Sequence, residues 1–230
     1  MNKVRIGIIG MGNMGKGHAK YLMEGKIPQA ELTAICDIAP AKLEAFTREY
    51  GDKVKKYEQV DDFLKNAPID GVLIATPHYF HPEIAIKAFQ NNLHVLVEKP
   101  AGVYTKQVRE MNEVAEKSGK VFGIMYNQRT NPVYQKVRDL IISGELGQIK
   151  RNSWVITNWY RTQSYYDSGE WRGTWDGEGG GVLLNQSPHQ LDLWQWICGV
   201  PKRVRAFCHF GKYHDIEVED DVTAYVEYEN

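Results

Sequence analysis

Two constellations of residues in this chain could carry chemistry. One is Glu98-Lys99-Pro100, which follows the apolar run Leu93 to Val97. A lysine at the carboxyl end of a buried strand can hold a substrate oxygen and stabilise negative charge developing on it. The plain alternative is a surface lysine paired with Glu98. The other constellation is Gly179-Gly180-Gly181-Val182-Leu183-Leu184-Asn185-Gln186-Ser187-Pro188-His189-Gln190-Leu191-Asp192. A histidine titrates near neutrality and suits general acid/base work, although a lone histidine on a helix is more often structural. If the helix runs through Pro188, then Asn185, His189, Asp192 and Trp196 share one face. Alternatively the helix starts at Ser187 with Pro188 at its first position, where proline has no helical hydrogen bond to lose.

A third stretch, Gly10-Met11-Gly12-Asn13-Met14-Gly15, says what such groups would work with. It lies between an apolar strand, Val4 to Ile9, and a helix expected over 18–24. A second strand follows, Glu31 to Asp37, ending in an acid. This is the context that a dinucleotide fingerprint requires. Gly10 permits the tight turn, Gly12 lets backbone approach a pyrophosphate, and Gly15 allows close packing of helix on strand. The N–H groups of the helix N-terminus then hold the phosphates, so residues 10–15 are expected at the cofactor. Asp37 stands where an acid can bind the adenosine ribose hydroxyls and repel a 2′-phosphate, which favours NAD over NADP. Lys42 is near enough in sequence to weaken that preference, and a solvated strand-end acid is the alternative for Asp37.

Ala75-Thr76-Pro77-His78, with His81 beyond, ends the apolar run Asp70 to Ala75, as Glu98 and Lys99 end the next one. Ligands bind at that edge of an open α/β sheet, so these residues are also expected at the cofactor. His78 and His81 have a spacing that two metal ligands could use. With no third candidate nearby, loop and helix-start roles are expected and no metal.

The elements that must position these groups alternate in kind. Helices are expected over 40–50, with Gly51 as the stop, over 61–65, over 82–91 and from Tyr104 to Gly119. Strands are expected over 54–57, 70–75, 93–97 and 121–126. Such alternation argues for a parallel sheet with helices on both faces. Past Tyr126 the rhythm changes. A helix through Val133, Val137, Leu140 and Ile141 stops at Gly144, and residues 150–161 alternate in the strand period, with Trp154, Ile156 and Tyr160 on one face. Residues 162–181 form a long loop rich in Gly, Trp and Tyr, of a length that is more often functional than filler. A Trp-rich helix then runs through Ile197, followed by strands over 204–210 and 222–228.

The bulk composition narrows the class. The chain has 230 residues, 43% hydrophobic and 25% charged, with a formal net charge of −1. No basic run suggests nucleic acid or an anionic membrane surface. The first strand starts too early for a signal peptide, and no apolar stretch is long enough to span a bilayer. Cys36, Cys198 and Cys208 are odd in number and lack Cys-x-x-Cys spacing, which reads as reduced and cytoplasmic.

Together these motifs resemble the family of glucose–fructose oxidoreductase, inositol dehydrogenase and rhizopine-catabolism proteins, Gfo/Idh/MocA. The resemblance covers essentially the whole chain. It rests on the Gly10–Gly15 fingerprint, Thr76-Pro77 with His81, Glu98-Lys99-Pro100, Asn127 and Arg129 with Pro132, Trp171-Arg172, and the Gly-rich helix carrying His189. It implies a Rossmann doubly wound domain, residues 1–126, followed by an α+β domain with a mostly antiparallel sheet, residues 127–230. Members are typically longer, and the last strand runs into Asn230 without a terminating turn. The chain is therefore expected to be the N-terminal portion of a longer protein, its second domain incomplete.

The implied reaction is hydride transfer between a secondary alcohol of a sugar, cyclitol or derivative and NAD(P). Lys99 matches the family's lysine beside substrate and nicotinamide, and His189 its acid/base histidine. Asn185 falls where many relatives have aspartate; an amide there can still hydrogen-bond and orient a sugar hydroxyl. Asn127, Trp171 and Arg172 are implied near the cofactor. Tyr160, Tyr165, Trp171 and Trp175 could offer flat faces to a sugar ring. A homodimer or tetramer is implied for the full-length protein. Two other readings stand beside this one. One is glycoside cleavage through transient oxidation by NAD and elimination. The other is a non-catalytic NAD(H)- or sugar-binding regulator, against which the retention of both Lys99 and His189 argues.

Overall fold

Neighbouring residues on the first strand point into two different cores, and that alternation defines the first half of the protein. The computed structural model describes residues 3–157 and 160–229. The chain divides into two compact units, Met1–Met125 and Tyr126–Asn230.

The first unit runs β1 (Val4–Ile9), α1 (Asn13–Met23), β2 (Ala30–Cys36), α2 (Pro40–Tyr50), β3 (Lys55–Tyr57) and α3 (Val60–Asn66). It continues β4 (Gly71–Ile74), α4 (His81–Gln90), β5 (His94–Val97), α5 (Thr105–Ser118) and β6 (Phe122–Ile124). The strands lie in the order β3-β2-β1-β4-β5-β6, every pairing parallel. That is the doubly wound order, which reverses direction between β1 and β4. Because successive strand residues face opposite sides, Ile9, Ala34, Cys36, Val72 and Ile74 enter one core with Phe63, Phe89 and Met111. Ile8, Ile35 and Leu73 enter the other with Leu22, Leu43 and Phe46. Both faces of the sheet are thus covered by helices, α3, α4 and α5 on one and α1 and α2 on the other.

Local chemistry explains the boundaries. Pro40 opens α2, and Gly51 closes it at φ 78°. Gly119 closes α5 in the left-handed region. One boundary differs from expectation: α1 begins at Asn13, within the glycine motif, rather than at His18. Apolar periodicity cannot reveal a first turn built from the motif's own glycine and polar residues.

The second unit contains α6 (Pro132–Ile142), the short α7 (Gln163–Tyr166), a π-turn at Val182–Gln186 and α8 (Pro188–Cys198). An antiparallel pair, β7 (Arg203–Phe210) and β8 (Glu219–Glu227), completes it. Asn131 caps α6 by accepting the Val133 N–H at 2.9 Å. The strand expected over 150–161 does not form among the described residues there; Asn158 and Trp159 lie outside them. Instead Trp154 stacks on Trp194, with ring centroids 6.3 Å apart, and leans on Tyr134. No helix among the described residues is long and apolar enough to cross a membrane.

Candidate active site

The glycine motif is a tight turn with one open side. Gly10 has φ +93°, and its N–H donates to the Cys36 carbonyl at 2.8 Å. A Cβ there would stand 2.5 Å from the Ala75 carbonyl oxygen. A Cβ on Gly15 would stand 1.8 Å from the Gly10 oxygen, so α1 packs on the turn only because that residue is glycine. Gly12 is the N-cap of α1, and a Cβ on it would meet nothing within 4 Å. No side chain caps this helix end. Its first-turn N–H groups and positive dipole end therefore suit an anion arriving over Gly12, and the site fits the pyrophosphate of a dinucleotide. The Met11 side chain is fully buried in the core, whereas Met14 is exposed.

Asp37 is buried at the end of β2 and holds the turn. Its Oδ2 accepts the Met11 N–H at 2.7 Å and its Oδ1 the Ala39 N–H at 2.9 Å. Lys42 Nζ lies 3.1 Å from Oδ2, so the cation noted in the sequence is paired with this acid.

At the same edge, His81 ties together the segments after β4 and β5. Its Nε2 lies 2.8 Å from the Thr76 carbonyl and its Nδ1 2.7 Å from the Pro100 carbonyl. Burial pulls its pKa below the ordinary value, against the opposite pull of the two carbonyls. Those contacts give His81 the helix-start role, and His78 is buried beside it. Glu98 is buried too. Its Oε1 is 2.6 Å from His18 Nε2 on α1, and its Oε2 accepts the Lys99 N–H at 3.2 Å. Half-buried Lys99 is thus carried by a turn anchored through Glu98 and Pro100, with a cis Lys99-Pro100 peptide. Nothing in the sequence pointed to His18.

In the second unit the choice left open at Pro188 is settled: Ser187 is the N-cap of α8 and Pro188 its first residue. Asn185 lies in the π-turn before it. A buried acid from β8 fixes this entry, Glu219 accepting the Gly181 N–H and the Leu183 N–H at 3.0 Å each. His189 packs edge-on against the Tyr126 ring, centroids 6.3 Å apart. Burial and the nearby Asp192 push the Tyr126 hydroxyl pKa up. One turn along α8, Asp192 forms a two-point ion pair with Arg129, at 2.7 and 2.5 Å. Asn127 opens the 3₁₀ turn that carries Arg129.

Trp171 and Arg172 belong to a second cluster. The Arg172 guanidinium lies 4.5 Å from the Trp171 ring centroid and 4.2 Å from that of Tyr165. It donates to Tyr165 Oη at 2.5 Å. Arg161 also covers Tyr165, at 4.6 Å, so guanidinium groups already engage this ring. Asn185 donates to Tyr165 Oη at 3.3 Å and to Glu178. Neither Glu178 nor Glu219 was singled out in the sequence, where nothing distinguishes a buried acid from a solvated one. Among the described residues no group of three or more His, Cys, Asp or Glu side chains could hold a metal ion.

Comparison with known proteins covers both units. Residues 4–126 match the model of an oxidoreductase family with an NAD-binding Rossmann fold, and residues 134–230 match the GFO/IDH/MocA C-terminal domain. The rhizopine catabolism protein MocA of Rhizobium meliloti is 30% identical over 200 residues, 86% of this chain and 58% of that protein. The scyllo-inositol 2-dehydrogenase (NAD(+)) of Bacillus subtilis is 26% identical over 204 residues, 86% of this chain and 55% of that one. The crystal structure of the WlbA dehydrogenase from Bordetella pertussis, in complex with NADH and UDP-GlcNAcA, superposes with a TM-score of 0.88. It is 31% identical and covers 99% of this chain and 68% of its own. The chain spans little more than half the length of the curated relatives it matches.

Proposed function

The chain belongs to the Gfo/Idh/MocA oxidoreductase family, and from that premise we propose that it serves an NAD-dependent dehydrogenase of sugars, cyclitols or their derivatives. The observation that carries the reading is the open, uncapped helix end at Gly12 beside the turn that bears Lys99. Residues 1–126 form the cofactor-binding domain, and residues 127–230 belong to the substrate and oligomerisation domain.

Bound NAD supplies a hydride acceptor at its nicotinamide. Gly10 to Gly15 hold its phosphates, with contacts from Ala75 to His78, His81, Glu98, Asn127, Trp171 and Arg172, and Asp37 takes the ribose hydroxyls. The Lys42 partner partly offsets the charge of Asp37, so NADP is disfavoured rather than excluded. His189 removes the hydroxyl proton of the alcohol. Lys99 places positive charge beside the same oxygen, and Asn185 orients the substrate by hydrogen bonding. Scattered, unpaired Cys36, Cys198 and Cys208 support a reducing, cytoplasmic setting. Exposed Val204, Phe207 and Tyr225 on β7 and β8 support association of the protein as a homo-oligomer.

The test is a panel of sugars and cyclitols assayed for absorbance of reduced cofactor with NAD and NADP. The reading expects NAD reduction with at least one of them, faster than NADP reduction. Glycoside cleavage without net NADH would replace it by oxidation followed by elimination.

A further inference from the structure

The rings of Tyr126 and His189 meet edge to face, with centroids 6.3 Å apart and planes at 87°. Each residue stands three positions before one half of an ion pair, Arg129 after Tyr126 and Asp192 after His189. That is close to one turn in the elements that carry them, the 3₁₀ turn Asn127–Thr130 and α8. The Arg129 backbone N–H donates to the Tyr126 carbonyl at 3.1 Å, which makes ring and guanidinium parts of one turn. Burial pushes the Tyr126 hydroxyl pKa up, Asp192 adds to that push and Arg129 opposes it, so both charges stand near the phenol.

The pair itself is rigid. Arg129 Nε donates to Asp192 Oδ2 at 2.7 Å and Nη2 to Oδ1 at 2.5 Å, the planar two-point grip of a guanidinium on an ionised carboxylate. The Asp192 side chain is only 10% exposed. One turn further along α8, Arg138 of α6 donates from Nε to the Trp196 carbonyl at 3.2 Å and covers the Trp196 ring at 4.7 Å. The Arg129 guanidinium lies over the same ring at 5.6 Å, so this face of α8 is gripped along two turns.

We propose that the Arg129–Asp192 pair is a clasp that seats the Tyr126 ring against His189 and so fixes where the imidazole stands. Arg129, Asp192 and Tyr126 are positioning residues, and none of them has to touch substrate. A base transfers a proton only across hydrogen-bond distance, so a displaced imidazole loses rate while alcohol and cofactor still bind. The consequence for turnover rests on the proposed role of His189 as the base; the seating of its ring does not, and is read without turnover.

The experiment measures kcat, KM, NADH affinity, Tm and the His189 ring-nitrogen NMR signals, which are assigned by their loss in His189→Gln. The substrate is the best alcohol of the panel. Arg129→Lys keeps the charge but loses the two-point geometry. Tyr126→Leu removes the ring and keeps both charges, so its effect does not come from the field of Asp192. Each should lower kcat on the order of tenfold with KM and NADH affinity nearly kept, and each should move the His189 signals. Tyr126→Phe should regain most of what Tyr126→Leu loses. The double variant R129K/Y126L should turn over about as fast as Y126L, because the clasp acts through the ring. Losses that add in full, or His189 signals unmoved in Arg129→Lys, would overturn the inference; the second criterion decides even where Tyr126→Leu does not fold. Signals that move as expected in a protein that turns over no alcohol would support the clasp and contradict the proposed reaction.

Discussion

A Cβ on Gly15 would stand 1.8 Å from the carbonyl oxygen of Gly10, five residues earlier. The same atom on Gly12 would meet nothing within 4 Å. Two glycines of one motif therefore have different reasons to be glycine. Gly15 is required by the fold, and Gly12 is required only by whatever arrives at the helix end. Gly15→Ala should fold poorly, because backbone would have to move. Gly12→Ala should keep its Tm and lose most of its affinity for NADH, measured by titration of nucleotide fluorescence. A Gly12→Ala variant binding NADH like the unaltered protein would remove the pyrophosphate from that position.

Cofactor choice should respond to the Asp37–Lys42 pair, whose Nζ and Oδ2 are 3.1 Å apart. Removing the cation in Lys42→Ala leaves the carboxylate uncompensated, and discrimination against NADPH should rise severalfold. Asp37→Asn keeps an acceptor for the loop but loses the charge, and should shift preference towards NADPH. Comparing Kd for NADH and NADPH in both variants checks the sign. Equal ratios in all three proteins would contradict a role for Asp37 at the ribose.

His81 makes stability depend on pH in a stated direction. Its folded pKa is lowered by burial from the ordinary 6.5. The unfolded chain therefore binds the proton first, and the stability present above pH 6.5 is lost as pH falls below it towards the folded value. The slope can reach about 1.4 kcal/mol per pH unit for one such group. Urea unfolding at several pH values should show this loss, and His81→Gln should flatten it. A slope identical in the variant would assign the acid limb to other groups.

The Glu219 carboxylate accepts two backbone N–H groups at the entry to α8, Gly181 and Leu183. Glu219→Gln keeps the shape but can accept with only one oxygen, leaving a buried N–H unmet at a cost of about 1–3 kcal/mol. Because that turn carries Asn185 and leads to His189, turnover should fall along with the urea midpoint. Lost stability with unchanged turnover would separate Glu219 from the site.

Elements bounded by chain stereochemistry were legible without coordinates. Pro40 and Gly51 mark both ends of α2 because proline suits a first helical turn and glycine a positive φ. The parallel sheet was legible because buried strands such as β4 are apolar throughout. The alternation over 150–161 misled because period two reports a face, not a partner strand, and Trp154 satisfies its face by stacking on Trp194. Lys99 and His189 could be singled out by residue type and place. Their supports could not. His18 and Glu219 act across chain separations that no local pattern encodes, and a buried acid such as Glu178 looks like any other in sequence.

The proposed chemistry requires Lys99 and His189 to serve one reaction on a bound alcohol. The most direct measurement is steady-state NAD reduction with the best panel substrate, alongside NADH affinity, for Lys99→Ala and His189→Ala. Each variant should lose about a hundredfold or more in kcat while NADH affinity is largely kept. Turnover unchanged in either variant would contradict the account for that residue and, in both, for the proposed chemistry.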